Sequence, residues 1–305
     1  MTTLIVRRLL LFVPTLWAIA TVTFFLVRFA PGGPFQSEKE MPATARTQLM
    51  HLYGLDRPLG EQYGRFLANA LHGDLGPSYK YPQRQVRDII RDGVRVSAEL
   101  GAWALLLAVL VGVPLGIVAA VRQNRGADHA AMALALVGVS VPNFVLGPLL
   151  VLVLSLGLYW LPPALWNGPE SRVLPVVTLS VAYIAYIARL TRAGMLEVLR
   201  QDFIRTARAK GLSERVVVMR HALRLGILPV VSYLGPAAAR IMMGSIVVEQ
   251  VFAVPGLGRQ LVGAAFNRDY TLVLGVVLFY ATALMLLNLV VDVLYGRLDP
   301  RVEAA

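Results

Sequence analysis

From Ala130 to Pro169 the chain runs for forty residues without a single charged side chain. Few soluble folds can bury such a run, because every exposed part of it would have to be covered. A bilayer accepts it directly, since a helix of about 20 apolar residues crosses the hydrocarbon. Similar runs recur at Leu9–Val27, Leu100–Val121, Val173–Ala188, Leu225–Val248 (interrupted only by Arg240) and Tyr270–Val291. The forty-residue run is too long for one crossing, so it reads as a helix to about Leu158 and then a Pro/Trp-rich loop. Val173–Ala188 is short, and its helix extends past Arg189 with that side chain snorkelling. Charged residues make up 15% of the chain, against about 25% in soluble domains. The expected fold is an all-α polytopic membrane protein with six transmembrane helices.

The expected organisation has three parts. Residues 1–29 hold an N-terminal segment and span 1. The apolar run after Arg7 and Arg8 is long and lacks a small-residue cleavage site, so it reads as a retained span. Residues 30–96 form a polar domain. Residues 97–305 form the core, with spans at about 99–121, 130–158, 173–192, 227–249 and 270–292, and an insert at 193–226. Lys and Arg in short loops set orientation. With the N-terminus inside, the inner segments hold fifteen Lys/Arg and the two short outer loops hold only Arg172, Arg259 and Arg268. The 30–96 segment is basic too, but long segments translocate regardless of charge. Both termini are therefore expected in the cytoplasm. The net charge of +11 is then a topology signal, and nucleic acid is not an expected partner.

Several chemistries find no support. There is no G-x-x-x-x-G-K-[ST] phosphate loop and no H-E-x-x-H. The four histidines, His51, His72, His129 and His221, show no metal-ligand spacing, and there is no cysteine. Neither "GVSVP" nor "GSI" is a nucleophile elbow. "PGLG" at Pro255–Gly258 reads as a tight turn. No catalytic residue, metal site or cofactor is expected in this chain.

"RQDFIRTARAKGLSERVVVMRHALR", Arg200 to Arg224, carries seven Lys/Arg against two acids. A helix is expected to continue from span 4 through Thr191 to Lys210, with Arg208 and Lys210 in a last turn that favours cations. Gly211 stands where a left-handed residue stops a helix. Ser213 is placed to cap a second helix, with Glu214 in its first turn. The insert can be a basic anchor that only fixes topology. It can also be a docking element, because Ala207, Ala209 and Gly211 leave room at the turn for another backbone. Within span 5, Arg240 has two readings, either lining a pathway or pairing with Glu249 or an acid on another chain. Glu249 itself lies near the outer end of the span.

The insert resembles the cytoplasmic E-A-A-x3-G loop of permease subunits in ABC importers. Arg205-Thr206-Ala207-x3-Gly211 keeps the spacing, with Arg205 and Thr206 in place of the usual Glu and Ala. "RTARAKGLSERVVVMRHALR" looks like the version in the peptide and nickel branch, although Leu225-Gly226 departs from the Asn-Ala usual there. "RRLLLFVPTLWAIATVTFFLVRFAPGGPF", "YGLDRPLGEQY", "HGDLGPSY", "SVPNFVLGPLL", "SYLGPAAARIMMGSIVVEQVFAVPGLGRQLVGAAFNRDY" and "VVDVLYGRLDPR" extend the likeness over the whole chain. Within the branch, oligopeptide permease subunits look most similar.

That resemblance implies a type I importer permease fold in the bacterial cytoplasmic (inner) membrane, with an extracytoplasmic domain between spans 1 and 2. It implies a second permease subunit (OppC-like), two ATPase subunits (OppD/OppF-like) that carry ATP and magnesium, and an extracytoplasmic peptide-binding protein (OppA-like). The coupling helix would comprise Arg205, Thr206, Ala207, Arg208, Ala209, Lys210, Gly211, Leu212 and Ser213. Arg240 and Glu249 are the candidates for a substrate pathway on chemistry alone. Dipeptides, glutathione-like peptides or nickel are alternative cargoes. A self-sufficient secondary transporter is disfavoured because no second half repeats the first, and a membrane enzyme by the missing motifs.

Overall fold

The computed structural model describes residues 2–34 and 43–298. Phe35 of the "APGGPF" string and the end of "VVDVLYGRLDPR" lie outside the described residues. In chain order the helices are α1 (Thr2–Phe29), α2 (Ala43–Leu52), α3 (Leu59–Leu71), α4 (Val86–Val121), α5 (Gly126–Ser140), α6 (Asn143–Leu150), α7 (Pro169–Leu199), α8 (Asp202–Ala209), α9 (Glu214–Val216), α10 (Leu223–Gly226), α11 (Leu228–Met242), α12 (Ile246–Val251), α13 (Leu257–Phe266) and α14 (Tyr270–Leu298). Two π-helical segments, Val151–Gly157 and Val217–Ala222, follow α6 and α9. No strand occurs among the described residues.

Arg8–Phe29, Val86–Val121, Pro169–Leu199 and Tyr270–Val293 are each long and apolar enough to cross a membrane. Two bent pairs bring the number of candidate spans to six if each pair is one span: Gly126–Ser140 with Asn143–Gly157, bent by 106°, and Glu214–Gly226 with Leu228–Met242, bent by 51°.

These elements correct four expectations. The single helix expected over 130–158 is two helices. Pro142 disfavours the α conformation at the residue before it, and Val141 is extended, at φ −84° and ψ 114°. The helix expected to run through Thr191 to Lys210 stops at Leu199, and the one expected over 227–249 stops at Met242, two residues before Gly244 at φ +81°. The helix expected over about 99–121 starts earlier, because α4 begins at Val86 inside the polar segment.

The chain divides into two compact units. The first comprises residues 1–97 and 255–305. Here α1 lies along α14. Helix α3 is laid onto α1 by aromatic packing: Phe24, which is wholly buried, meets the rings of Tyr63 and Phe66 at 5.2 and 5.5 Å. Thr21 and Tyr63 share a 2.6 Å hydroxyl–hydroxyl bond. Buried Asp269 ties the polar segment to the start of α14. Its carboxylate accepts from the Ser78 hydroxyl, from the N–H groups of Tyr79 and Lys80 at 3.1 and 3.2 Å, and from Leu272 N–H at 3.1 Å. The "PGLG" turn leads into α13, whose Leu257 N–H donates to the buried Ser97 hydroxyl at 2.9 Å. Ser97→Ala leaves that N–H unsatisfied and is expected to cost about 1–3 kcal/mol, readable as a lower detergent melting temperature.

The second unit comprises residues 98–254. Helix α7 is its centre, with thirteen buried residues, including Thr178, Ser180 and Thr191. The threonine hydroxyls turn inward to the carbonyls four residues back, at 2.7 and 2.8 Å, so their polarity costs little in an apolar setting. Helix α4 approaches α7 through Gly112 and Gly116, a small-x3-small pair that lets two backbones meet. A Cβ on Gly116 would stand 2.5 Å from the Ala188 carbonyl oxygen. Asp128, 1% exposed on α5, takes a two-pronged ion pair from Arg192 on α7, Nε at 2.6 Å and Nη2 at 2.7 Å, and also accepts Asn124 N–H at 2.9 Å.

Candidate docking site

Helix α8 has eight residues, too few to hold together in water without tertiary packing. Only Ile204 and Ala207 of it are buried. They pack with Met195 and Val198 of α7, with Val217, Val218 and Ala222 of the second π segment, and with Ala120 of α4. Burial of Ile204 contributes roughly 1.5–3 kcal/mol. This packing also accounts for the break at Arg200 and Gln201. Helical spacing from Met195 and Val198 would bring Asp202 and Arg205 onto the buried stripe. The break rephases the chain so that Ile204 and Ala207 take those places.

The C-terminus of α8 is closed as the glycine suggested. Gly211 sits at φ +81°. Its N–H bonds to the Arg208 carbonyl at 2.9 Å, and Leu212 N–H bonds to the Ala207 carbonyl at 3.4 Å. That pair of bonds is the Schellman arrangement, which requires a left-handed residue at the glycine position. Ser213 does occupy the N-cap position of α9, but its side chain makes no capping bond. Instead Glu214 closes the turn across to α8, accepting from Arg208 Nη2 at 2.7 Å and Nε at 3.1 Å. Both partners are about half exposed, so the pair contributes at most about 1 kcal/mol.

The result is a short helix pinned by one face, with the other face open. Arg205, Thr206, Arg208, Ala209, Lys210, Gly211, Leu212 and Ser213 are exposed, and Ala207 is the one residue of the expected nine that is buried. Phe203 and Leu212 are exposed at 38% and 39%, large apolar groups among cations. Between the end of α4 and α9 lies an open groove of about 600 Å³, lined by Val118 and Val121 of α4 and by Glu214, Arg215 and Met219. Basic, part-apolar and shaped by a turn, this surface suits a protein cleft better than bulk water.

The two span candidates separate. Glu249 is wholly buried, whereas Arg240 is exposed. Arg240 shares α11 with Tyr233, whose ring stacks on Tyr186 of α7 at 5.8 Å. Tyr186 and Tyr233 were not among the expected site residues; "YIAYIARL" places Tyr183 and Tyr186 on one face of α7 by their i, i+3 spacing, but nothing local points to Tyr233.

Residues 112–304 match the family model described as binding-protein-dependent transport system inner membrane component. The oligopeptide transport system permease protein OppB of Escherichia coli K12 is 46% identical over 98% of this chain and 98% of its own length. The dipeptide transport system permease protein DppB of Bacillus subtilis is 42% identical over 98% of this chain and 97% of its own. Among solved structures, an amino acid ABC transporter with histidines covers 69% of this chain and 94% of that one, with TM-score 0.54 and 18% identity. The MetNI methionine ABC transporter covers 69% and 96%, with TM-score 0.54 and 19% identity. These two bear on fold alone.

Proposed function

Because the chain belongs to the family of binding-protein-dependent transport system inner membrane components, we propose that it is the permease subunit of an ATP-driven importer of oligopeptides. The observation that carries this reading is end-to-end similarity at 46% identity to an oligopeptide permease. The chain is the non-catalytic membrane component. ATP and magnesium bind to two partner ATPase subunits, a second permease completes the pathway, and an extracytoplasmic peptide-binding protein delivers cargo. The complex resides in the bacterial inner membrane, with both termini of this chain in the cytoplasm and residues 30–96 outside.

In this reading α8 and its turn, Arg205 to Ser213, seat in a cleft of one ATPase. The exposed Phe203 and Leu212 bury apolar area there, and the surrounding arginines find acids. Closure of the ATPase pair on ATP drags the docked helix, and α7 passes the motion into the second unit. The access change is then a two-state element biased by a ligand on another chain. Arg240, with Tyr186 and Tyr233 beside it, lines the path and offers a cation to peptide carboxylates and rings to apolar side chains. Buried Glu249 is left out of that lining.

The test uses the absence of native cysteines. A single Arg205→Cys chain, assembled with its partners in vesicles, is expected to cross-link to an ATPase subunit and to support ATP-dependent uptake of labelled peptides. Uptake of no peptide of any length by the intact complex would sink the proposal. Similarity to a dipeptide permease supports a second reading, in which cargo is limited to two residues. Competition of labelled tetrapeptide uptake by unlabelled dipeptides and pentapeptides separates the two.

A further inference from the structure

The first unit holds a cavity of about 560 Å³ that the transport reading leaves unused. It is lined by Arg28 at the end of α1, by Gln62 and Arg65 of α3, and by Tyr53 and Tyr79. Arg57 and Arg65 share one counter-ion, Glu61, at 2.5 and 3.1 Å. Arg28 has none among the described residues. Its Nε donates to Gln62 Oε1 at 2.9 Å, and its Nη1 is buried without a hydrogen-bond partner. The guanidinium lies 3.6 Å over the Phe24 ring and 5.7 Å from that of Tyr270. Ring faces attract a cation but leave its N–H groups unsatisfied. Burial pushes the Tyr79 phenol up to about 12, so it stays neutral and brings no compensating charge.

A held guanidinium with one unpartnered N–H, lining a partly open space of this size, has the form of a small-ligand site rather than a flat protein contact. The ligand that completes it carries a planar two-oxygen anion, which matches the fork of Arg. We infer that this cavity is a binding site for the C-terminal carboxylate of a short peptide, held on Arg28 with the peptide's side chains against Tyr53 and Tyr79. The inference rests on the oligopeptide reading above and adds an outer subsite to it. A carboxylate of the delivering protein is the competing occupant.

The experiment compares uptake of tetra-alanine and its C-terminal amide by the complete complex, with one and the same binding protein throughout. Arg28→Gln is expected to lower uptake of the free acid about tenfold or more and to leave the amide unchanged. Arg28→Lys, which keeps the charge but not the fork, should fall between. If the wild-type complex imports neither peptide, the oligopeptide reading fails. If it imports both and Arg28→Gln leaves the acid-to-amide ratio unchanged, the subsite is wrong. Equal loss of acid and amide also overturns it, and points to the packing of Arg28 on Phe24 or to the delivering protein's carboxylate. Should Arg28→Gln fail to accumulate, Arg28→Lys decides alone: a ratio like that of wild type counts against the subsite.

Discussion

Asp128→Ala is expected to lower the stability of the second unit by about 3 kcal/mol, near the low end for breaking a buried pair. Asp128 is 1% exposed and receives three N–H groups, two from Arg192 and one from Asn124. Removing its carboxylate strands the Arg192 charge beside an apolar helix core. The Arg192 side chain is a quarter exposed, so water reaches it in part, which sets the figure below the full range. Asn124 sits at φ +60° and also loses the acceptor of its N–H. Thermal unfolding in detergent, followed by loss of the monodisperse peak, reads the drop. Arg192→Met alone should cost a similar amount, since it strands the carboxylate instead. The double variant Asp128→Leu/Arg192→Met should be closer to wild type than either single change, because no charge is left buried. A double variant that simply sums the two losses would show that the pair does not act as a unit.

This pair also shows what the sequence can and cannot display. The long apolar helices were legible because lipid imposes a one-dimensional rule on a chain that crosses it: apolar length between charges. Hence α1, α4, α7 and α14 stand where the charge-free runs put them. Gly211 was legible for a similar reason, since helix stopping is local chemistry. The bend at Pro142 was only hinted at in the chain, because a residue before proline is biased away from the helix, yet Pro14, Pro114, Pro175 and Pro236 all sit inside helices. Gly112 and Gly116 form a small-x3-small pair that hydropathy does not register. The break at Arg200 and Gln201 has no local mark, neither glycine nor proline. It exists because Ile204 and Ala207 must reach a core built by Met195, Val198 and Val217. Partners 64 residues apart, Asp128 and Arg192, and 191 apart, Ser78 and Asp269, are set by tertiary packing. The candidate docking site was therefore found by its turn. The cavity at Arg28, assembled from α1, α3 and the loop around Tyr79, was not.

Gly211→Val is expected to reduce ATP-driven uptake at least about tenfold while the chain still inserts and folds. The space around Gly211 is open, so an added side chain meets nothing within 4 Å. The cost is conformational, since φ +81° is unfavourable for a β-branched residue by about 1–3 kcal/mol. The chain can relieve that strain by giving up the Schellman bonds of Gly211 and Leu212. That unwinds the end of α8 and turns Phe203 and Leu212 away from their present places, while the cores around α7 stay intact. The proposal that α8 receives the ATPase then predicts a specific pattern. Cross-linking from Arg205→Cys to the ATPase falls, uptake falls with it, and the melting temperature of the isolated chain moves by only a few degrees. Residual ATP hydrolysis by the complex would no longer respond to peptide-loaded binding protein. Gly211→Asn, a residue that tolerates the left-handed region, should restore most of the uptake. If Gly211→Val transports normally, the turn is only a topological anchor. If Gly211→Asn fails as badly as valine, the defect lies in the new side chain rather than in the backbone that the glycine permits.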